Sequence, residues 1–332
     1  MQIDIVYTWV DGSDPLWIEK KTEKAKKIGN ILPASDHSSR FTDNDELKYS
    51  LRSLEKYAPW INNIFIVTDN QKPSWLNLTH PKIKIIDHQE IFRNNNHLPT
   101  FSARVIESQI HHINELSEHF IYFNDDMFLS NYCTPEFFFP NENKPYVFAS
   151  EIVPIPSKKS FDISKRDRAK RNDHQHAIVN TRKVIRDKFK KSVYNNVRHG
   201  PKPLLKSVLY KLEELFEVEL ENTIKNSFRT EDDILMIHLF EYYVLLKNIG
   251  KSRYLKTVSK KESLLDKFSN NRNTFGYINL HEDNLESNLR SIKEREPVLL
   301  CLNQTPDSPN KNVERIKIFL AELFPSKSQF EI

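Results

Sequence analysis

Four short runs of β-branched and aromatic residues constrain the fold of this chain more than any other feature. They are Ile3-Asp4-Ile5-Val6-Tyr7-Thr8-Trp9-Val10, Ile64-Phe65-Ile66-Val67-Thr68-Asp69, Ile83-Lys84-Ile85-Ile86-Asp87 and Phe120-Ile121-Tyr122-Phe123. Each is too short for a helix and is bounded by polar residues, the pattern of a buried strand. A helical stripe of Leu47, Leu51 and Leu54 separates the first two. Strand, helix, strand in this rhythm predicts a doubly wound α/β sheet, whose ligands bind in the crevice beyond the carboxyl ends of the strands. The fourth run stops there, on Asn124-Asp125-Asp126. Two adjacent carboxylates are hard oxygen ligands suited to Mg²⁺ or Mn²⁺ carrying a diphosphate. An Asp pair capping a turn is the competing reading.

Composition narrows the function classes. The 332 residues suffice for one large domain or two smaller ones, and 21 Phe and 12 Tyr supply much of a core. With only five Gly and neither a GxGxxG nor a Walker-type loop, any nucleotide must be held by another device. A net charge of +4 suits anionic substrates or an anionic membrane face and falls short of a nucleic-acid signature, so no nucleic-acid partner is expected. Cys133 and Cys301 lack CxxC spacing, which argues against a zinc or disulfide framework. A first strand from residue 3 leaves no room for a signal peptide, and no apolar run reaches about 18 residues. The expectation is a cytoplasmic enzyme with reduced thiols.

Along the chain, Asp4 is unusual inside an apolar strand: it either faces solvent or has a functional partner. Trp9 and Asp11 stand where that strand meets its loop, a natural place to hold a base and a ribose. A polar helix runs to about residue 28. Thr42 or Asp43 is expected to cap the second helix, Pro59 to end it, and another helix to span about 102–117. Residues 1–156 thus read as the nucleotide-binding part of an α/β core without a glycine loop, the part that the resemblance given below implies binds a nucleotide-sugar. Composition shifts from Ser157, and 157–255 reads as a helical insertion. Within it Asn172 or Asp173 caps a helix carrying Asn180, Pro201 opens a helix at its first turn, and Thr230 with Asp233 has capping-box spacing. Residues 256–332 complete the core with a strand over 297–303 and a closing helix from Ser308-Pro309. Taken singly, His199 reads as a surface turn residue, Arg229 as a solvated one, and the basic run over 158–191 as an exposed face.

The combination reads differently. Ile3 to Asp14 resembles the first conserved block of the Stealth family of sugar-phosphate transferases, makers of bacterial capsules. That family includes the lysosomal-enzyme N-acetylglucosamine-1-phosphotransferase of animals. Residues 40–60, RFTDNDELKYSLRSLEKYAPW, resemble the second block together with Ile64 to Thr68, Leu98 to Ser102, Ile106-Glu107 and Asn124-Asp125-Asp126. His199-Gly200-Pro201 with Arg229-Thr230-Glu231-Asp232 is similar to the third block. Cys301-Leu302-Asn303, with Phe324-Pro325 and Ser328 to Glu331, is similar to the fourth, where Gln304 replaces the usual Asp.

The resemblance implies a glycosyltransferase-A-like (Rossmann-type) α/β core with a helical insertion. It implies capsular or exopolysaccharide synthesis by transfer of a hexose 1-phosphate from a UDP-sugar, the UDP-N-acetylhexosamine donor class, to a saccharide acceptor hydroxyl, with UMP leaving. Asp125 and Asp126 would hold Mg²⁺ or Mn²⁺, and Arg229 would clasp phosphoryl oxygens. His199 would deprotonate the acceptor or donate to the phosphoryl group. Asp4, Trp9 and Asp11 would shape the nucleotide pocket, with Arg52 and Asn180 as further polar contacts. Peripheral contact with the inner face of the cell membrane or with capsule-assembly proteins is compatible with the charge. The alternatives are a metal-dependent glycosyltransferase releasing UDP, and a non-catalytic polysaccharide-binding module.

Overall fold

A computed structural model describes residues 1–332 apart from 142–143, 158–159, 162–171 and 259–274, so part of the basic run over 158–191 lies outside the described residues. The first half contains β1 (Ile3–Thr8), α1 (Pro15–Ile28), α2 (Glu46–Tyr57), β2 (Ile64–Thr68), β3 (Ile83–Asp87), α3 (His88–Ile91), α4 (Ala103–Glu107), β4 (His119–Asn124), β5 (Met127–Leu129) and β6 (Tyr146–Ala149). The second contains α5 (Asp173–Phe189), β7 (Lys202–Leu205), α6 (Lys206–Leu215), α7 (Glu217–Ile224), α8 (Met236–Leu246), β8 (Lys251–Tyr254), β9 (Phe275–Asn279), α9 (Leu285–Arg295), β10 (Leu299–Asn303) and α10 (Asn310–Leu323).

The central sheet has the order β3-β2-β1-β4-β7. Its first four strands are parallel, and β7 closes the edge antiparallel to β4. From β1 the chain moves outward to β2 and β3, then returns to lay β4 on the opposite flank of β1. The connections therefore reverse between β1 and β4, which defines the topological switch point and its crevice. This is the mixed α/β class the four apolar runs predict. Helix α2 covers the sheet with Leu47, Leu51 and Leu54, all buried. Each contributes roughly 1.5–3 kcal/mol relative to an exposed side chain. On the same helix Ser50 bonds the Tyr7 hydroxyl, at 2.6 Å, and the carbonyl of Met127, tying β1 to the start of β5.

A second sheet, β5-β10-β9, abuts the end of β4. Antiparallel pairing of Cys301 with Met127, and a bond from Leu302 N to Asp126 O at 3.1 Å, bring β10 beside the carboxylate pair. Strands β6 and β8 form a separate parallel pair. No helix among the described residues is long and apolar enough to cross a membrane.

Several local expectations are corrected. Strand β7 lies within the segment read as helical, and Pro201 precedes a strand instead of opening a helix. Pro203 obscured it; a residue without an N–H is tolerated only where a sheet edge asks for none. The span 102–117 is not one helix: α4 ends early, and a 3₁₀ turn follows at Ile110–His112. Ser108 Oγ donates to Val105 O at 2.6 Å, a side-chain competitor for the helical backbone. Asp45, in the left-handed region at φ 66°, stands at the N-cap of α2 in place of Thr42 or Asp43. Asp43 Oδ1 instead accepts its amide at 2.9 Å. Thr230 and Asp233 do pair, yet α8 begins only at Met236.

Candidate active site

The crevice at the switch point is a cleft of about 160 Å³ lined by Thr8 and Trp9 at the end of β1, Asp69 after β2, and Asn124 and Asp125 at the end of β4, together with Arg40 and Arg229. Asp126 and His199 are not among the residues that line it, and His199 lines a neighbouring cavity with His174, Arg198 and Lys202. Register explains how His199 comes beside the Asp pair. Lys202 pairs with Tyr122 near the carboxyl end of β4, so the residues just before β7 overhang the Asp pair. His199 Nε2 lies 3.8 Å from Asp126 Oδ2, and its side chain is 42% exposed, open to a substrate.

One wall is acidic. Asp125 sits beside Asp126, Glu46 and Asp43; burial, then these neighbouring charges, push its carboxyl well above the usual range. Burial likewise pushes Glu46 up to about 7, despite hydrogen bonds from the Asn44 side chain and amide. The Asn44 side chain also donates to Gln304 Oε1 at 2.9 Å. Asp126 Oδ1 is buried with no hydrogen-bond partner among the described residues, while Oδ2 takes the Cys301 thiol at 3.5 Å. Burial and the neighbouring Asp126 carboxylate hold that thiol protonated, so Cys301 is a donor here and not a nucleophile. Crowded carboxylates with an orphaned oxygen fit a hard divalent cation.

The opposite wall is cationic. Arg40 and Arg229 lie 3.6 and 4.0 Å from the two oxygens of Asp173, and Arg104 donates to Asp173 at 2.6 Å and to Asp233 at 2.9 Å. Burial and repulsion from Arg40 and Arg104 pull the Arg229 guanidinium down to about 10. Guanidiniums held together in this way invite a phosphate, which two N–H groups of one fork can grip at once. A small aromatic cluster sets their positions. Trp17 packs on Phe41 and on Phe101 at 5.0 and 5.3 Å, and Phe101 stacks on Phe228 at 5.1 Å. Phe41 and Phe228 are the chain neighbours of Arg40 and Arg229. Gly12 lets the loop after β1 approach this cluster, because a Cβ there would strike the Phe41 carbonyl. Partly buried Glu107, its carboxyl raised by desolvation against the pull of Arg229, accepts from Tyr122 at 3.1 Å.

The remaining expected site residues are dispersed. Trp9 lines the cleft and donates to Asp43 at 3.2 Å. Asp11 stays in the loop after β1, where its Oδ1 accepts from the Ser13 amide and hydroxyl at 2.8 and 2.6 Å. Asn180 is outside the cleft lining and holds the Arg229 loop from beneath, donating to Glu231 O at 2.8 Å and Asp233 O at 3.2 Å. Asp4 and Arg52 are corrected. Asp4 opens β1, at the end opposite the cleft, and accepts from Asn62, Asn63 N and Ser117 N at 2.8, 2.9 and 2.7 Å, so its partner is the sheet's own loops. Arg52 forks onto Glu331 at 2.8 and 2.7 Å and donates to Phe324 O at 2.8 Å, pinning the C-terminal segment. Arg40, Arg104, Asp173, Glu46 and Cys301 were not singled out as site residues in the sequence. The one available signal is that Arg40, Asp43 and Glu46 lie in the block that also supplies α2.

Fold and site together define an α/β protein whose switch-point cleft is lined by carboxylates and guanidiniums, with an imidazole beside Asp126. Three descriptions from one family match the chain: Stealth protein CR1, conserved region 1, over residues 1–23; CR2, conserved region 2, over 40–147; and CR3, conserved region 3, over 198–246. An exopolysaccharide phosphotransferase of Streptomyces coelicolor is 35% identical over 99% of this chain and 51% of its own length. A capsular polysaccharide phosphotransferase of Haemophilus influenzae is 33% identical over 93% of this chain and 79% of its own. The chain belongs to the Stealth family. It spans about half the length of most of the Streptomyces relatives it matches. Among solved structures it is similar to a galactosyltransferase bound to donor and acceptor sugar analogues, at 11% identity and TM-score 0.43 over 98% of both chains. It is also similar to a glycosyltransferase of Streptococcus pneumoniae, at 13% identity and TM-score 0.39 over 99% of this chain and 66% of that one.

Proposed function

We propose that the chain transfers a hexose 1-phosphate, of the N-acetylhexosamine class, from a UDP-sugar to a hydroxyl of a saccharide acceptor in capsule or exopolysaccharide synthesis. The observation that carries this reading is the pairing of a guanidinium wall with a carboxylate wall across one cleft, with His199 beside Asp126. The names of the relatives, exopolysaccharide and capsular polysaccharide phosphotransferases, support it.

In this reading Arg229 and Arg40 grip the phosphoryl oxygens and balance the charge that builds on them. His199 takes the proton of the acceptor hydroxyl. That oxygen bonds to the phosphorus bearing the sugar as the bond from this phosphorus to the bridging oxygen breaks, and UMP departs. Attack at phosphorus spares the anomeric C–O bond, so its configuration is kept. Asp125 and Asp126 would hold Mg²⁺ or Mn²⁺, which when bound neutralises diphosphate charge. Trp9 offers an aromatic surface for the base. A cytoplasmic setting, with peripheral contact at the inner membrane or with capsule-assembly proteins, is part of the same proposal.

The test is turnover of the purified chain with Mg²⁺, a UDP-N-acetylhexosamine and a saccharide acceptor. UMP release and a phosphodiester signal in phosphorus NMR are expected. UDP release without a phosphodiester would move the chain to glycosyl transfer.

A further inference from the structure

A second convergence of ligand-type side chains lies outside the cleft, on the 3₁₀ turn Ile110–His112 and the facing helix α6. His111 Nε2 and His112 Nε2 both point at Glu213 Oε2, at 3.3 and 3.1 Å. All three ligand atoms lie within 4.8 Å of one another. None of these residues lines the cleft.

The hydrogen bonding leaves this cluster one cation short. His112 Nδ1 is 2.8 Å from Ile91 O, an acceptor only, so that nitrogen carries the ring proton. A neutral His112 then turns the lone pair of Nε2 straight onto a carboxylate oxygen, and two acceptors face each other at hydrogen-bond distance. Only a proton or a metal ion between them makes the contact favourable. His111 is fully buried. Its Nδ1 is also buried, with no hydrogen-bond partner among the described residues. Tyr210, one turn before Glu213, packs edge-on against His111 at 4.7 Å and fixes the ring.

We infer that His111, His112 and Glu213 form a binding site for a borderline divalent cation of the Zn²⁺ class, separate from the cleft and independent of the phosphotransfer reading. Two imidazoles and one carboxylate are a ligand set this class of ion accepts, with water free to complete a tetrahedron. The bond from His112 to Ile91 O is the outer contact that orients a metal-bound imidazole. The ion would clamp α6 to the turn leading into β4. Arg93 is its competitor: Nη2 reaches the same Glu213 oxygen at 3.0 Å from a side chain that is 64% exposed and able to swing away.

Zn²⁺ titration of the tag-free, chelator-stripped full chain tests this, followed by calorimetry and by the absorption spectrum of the Co²⁺-loaded form. Saturable uptake at neutral pH is expected, with d–d bands and no thiolate charge transfer. Glu213→Gln and His112→Ala should weaken uptake by at least about tenfold, while Arg93→Ala leaves it equal or tighter. Should His112→Ala fail to fold, the Co²⁺ spectrum and Arg93→Ala still decide. Absence of saturable uptake overturns the inference and leaves the cluster to a proton and Arg93. So does a spectrum with thiolate charge transfer that Glu213→Gln does not alter, which would place the ion at Asp126, His199 and Cys301 instead.

Discussion

His199 Nε2 and Asp126 Oδ2 stand 3.8 Å apart, brought together by the register of β7 against β4. If the imidazole moves the acceptor proton, His199→Ala lowers kcat by about 10² to 10⁴ and leaves donor KM within a few fold. Steady-state UMP release by the variant, with circular dichroism to confirm its fold, measures this. Near wild-type turnover would remove His199 from the chemistry.

The Glu46 carboxyl, pushed up to about 7 by burial from its ordinary value of 4.5, makes stability depend on pH. An acid with a raised folded pKa binds more protons folded than unfolded between those two values. Its favourable contribution is complete below pH 4.5 and is lost as pH rises through about 7. Asp125 shifts in the same direction and adds to the slope. Thermal melts without divalent cation should therefore fall in Tm across this window, and Glu46→Gln should flatten the fall. Gln keeps only one of the two oxygens that Asn44 uses, so the slope is the readout and not the absolute Tm.

Asn180 donates both amide protons to the backbone of the Arg229 loop. Asn180→Ala frees that loop and should raise donor KM more than it lowers kcat. Asn180→Asp should be worse, because a carboxylate then faces two carbonyl oxygens. Rank order in KM decides: an Asp variant better than Ala would mean that the side chain contacts the ligand instead.

Arg52, by contrast, belongs to stability. Its fork onto Glu331 is largely buried, with side-chain exposures of 13% and 2%, so Arg52→Ala strands a carboxylate. Urea unfolding should show a loss of roughly 3 kcal/mol, with donor KM unchanged in the folded fraction. A raised KM at wild-type stability would return Arg52 to the nucleotide pocket.

The sheet could be read from the sequence because its strands are continuous apolar runs whose period and length leave little choice. The carboxylate pair was visible for the same reason, since it terminates one of them. The guanidinium wall was hidden. Arg40, Arg104, Asp173 and Arg229 come from segments far apart, and no local pattern says that they meet. Asp4 misled in the opposite way, as a polar residue in an apolar strand, and Arg52 was named only through the family resemblance. Both are satisfied there, Asp4 by two backbone amides and an Asn62 side chain, and Arg52 by one glutamate and a carbonyl. Pro203 concealed the strand that carries His199 into place.

Pairing of Lys202 with Tyr122 hard-wires the imidazole to the same ladder that ends in the carboxylates. Imidazole and carboxylates are thus tied to one strand pair, whereas Arg229 stands on the separate loop that Asn180 and Arg104 hold. Grafting a different helical region onto this scaffold would have to import the edge strand with it, or forfeit the spacing between imidazole and carboxylates.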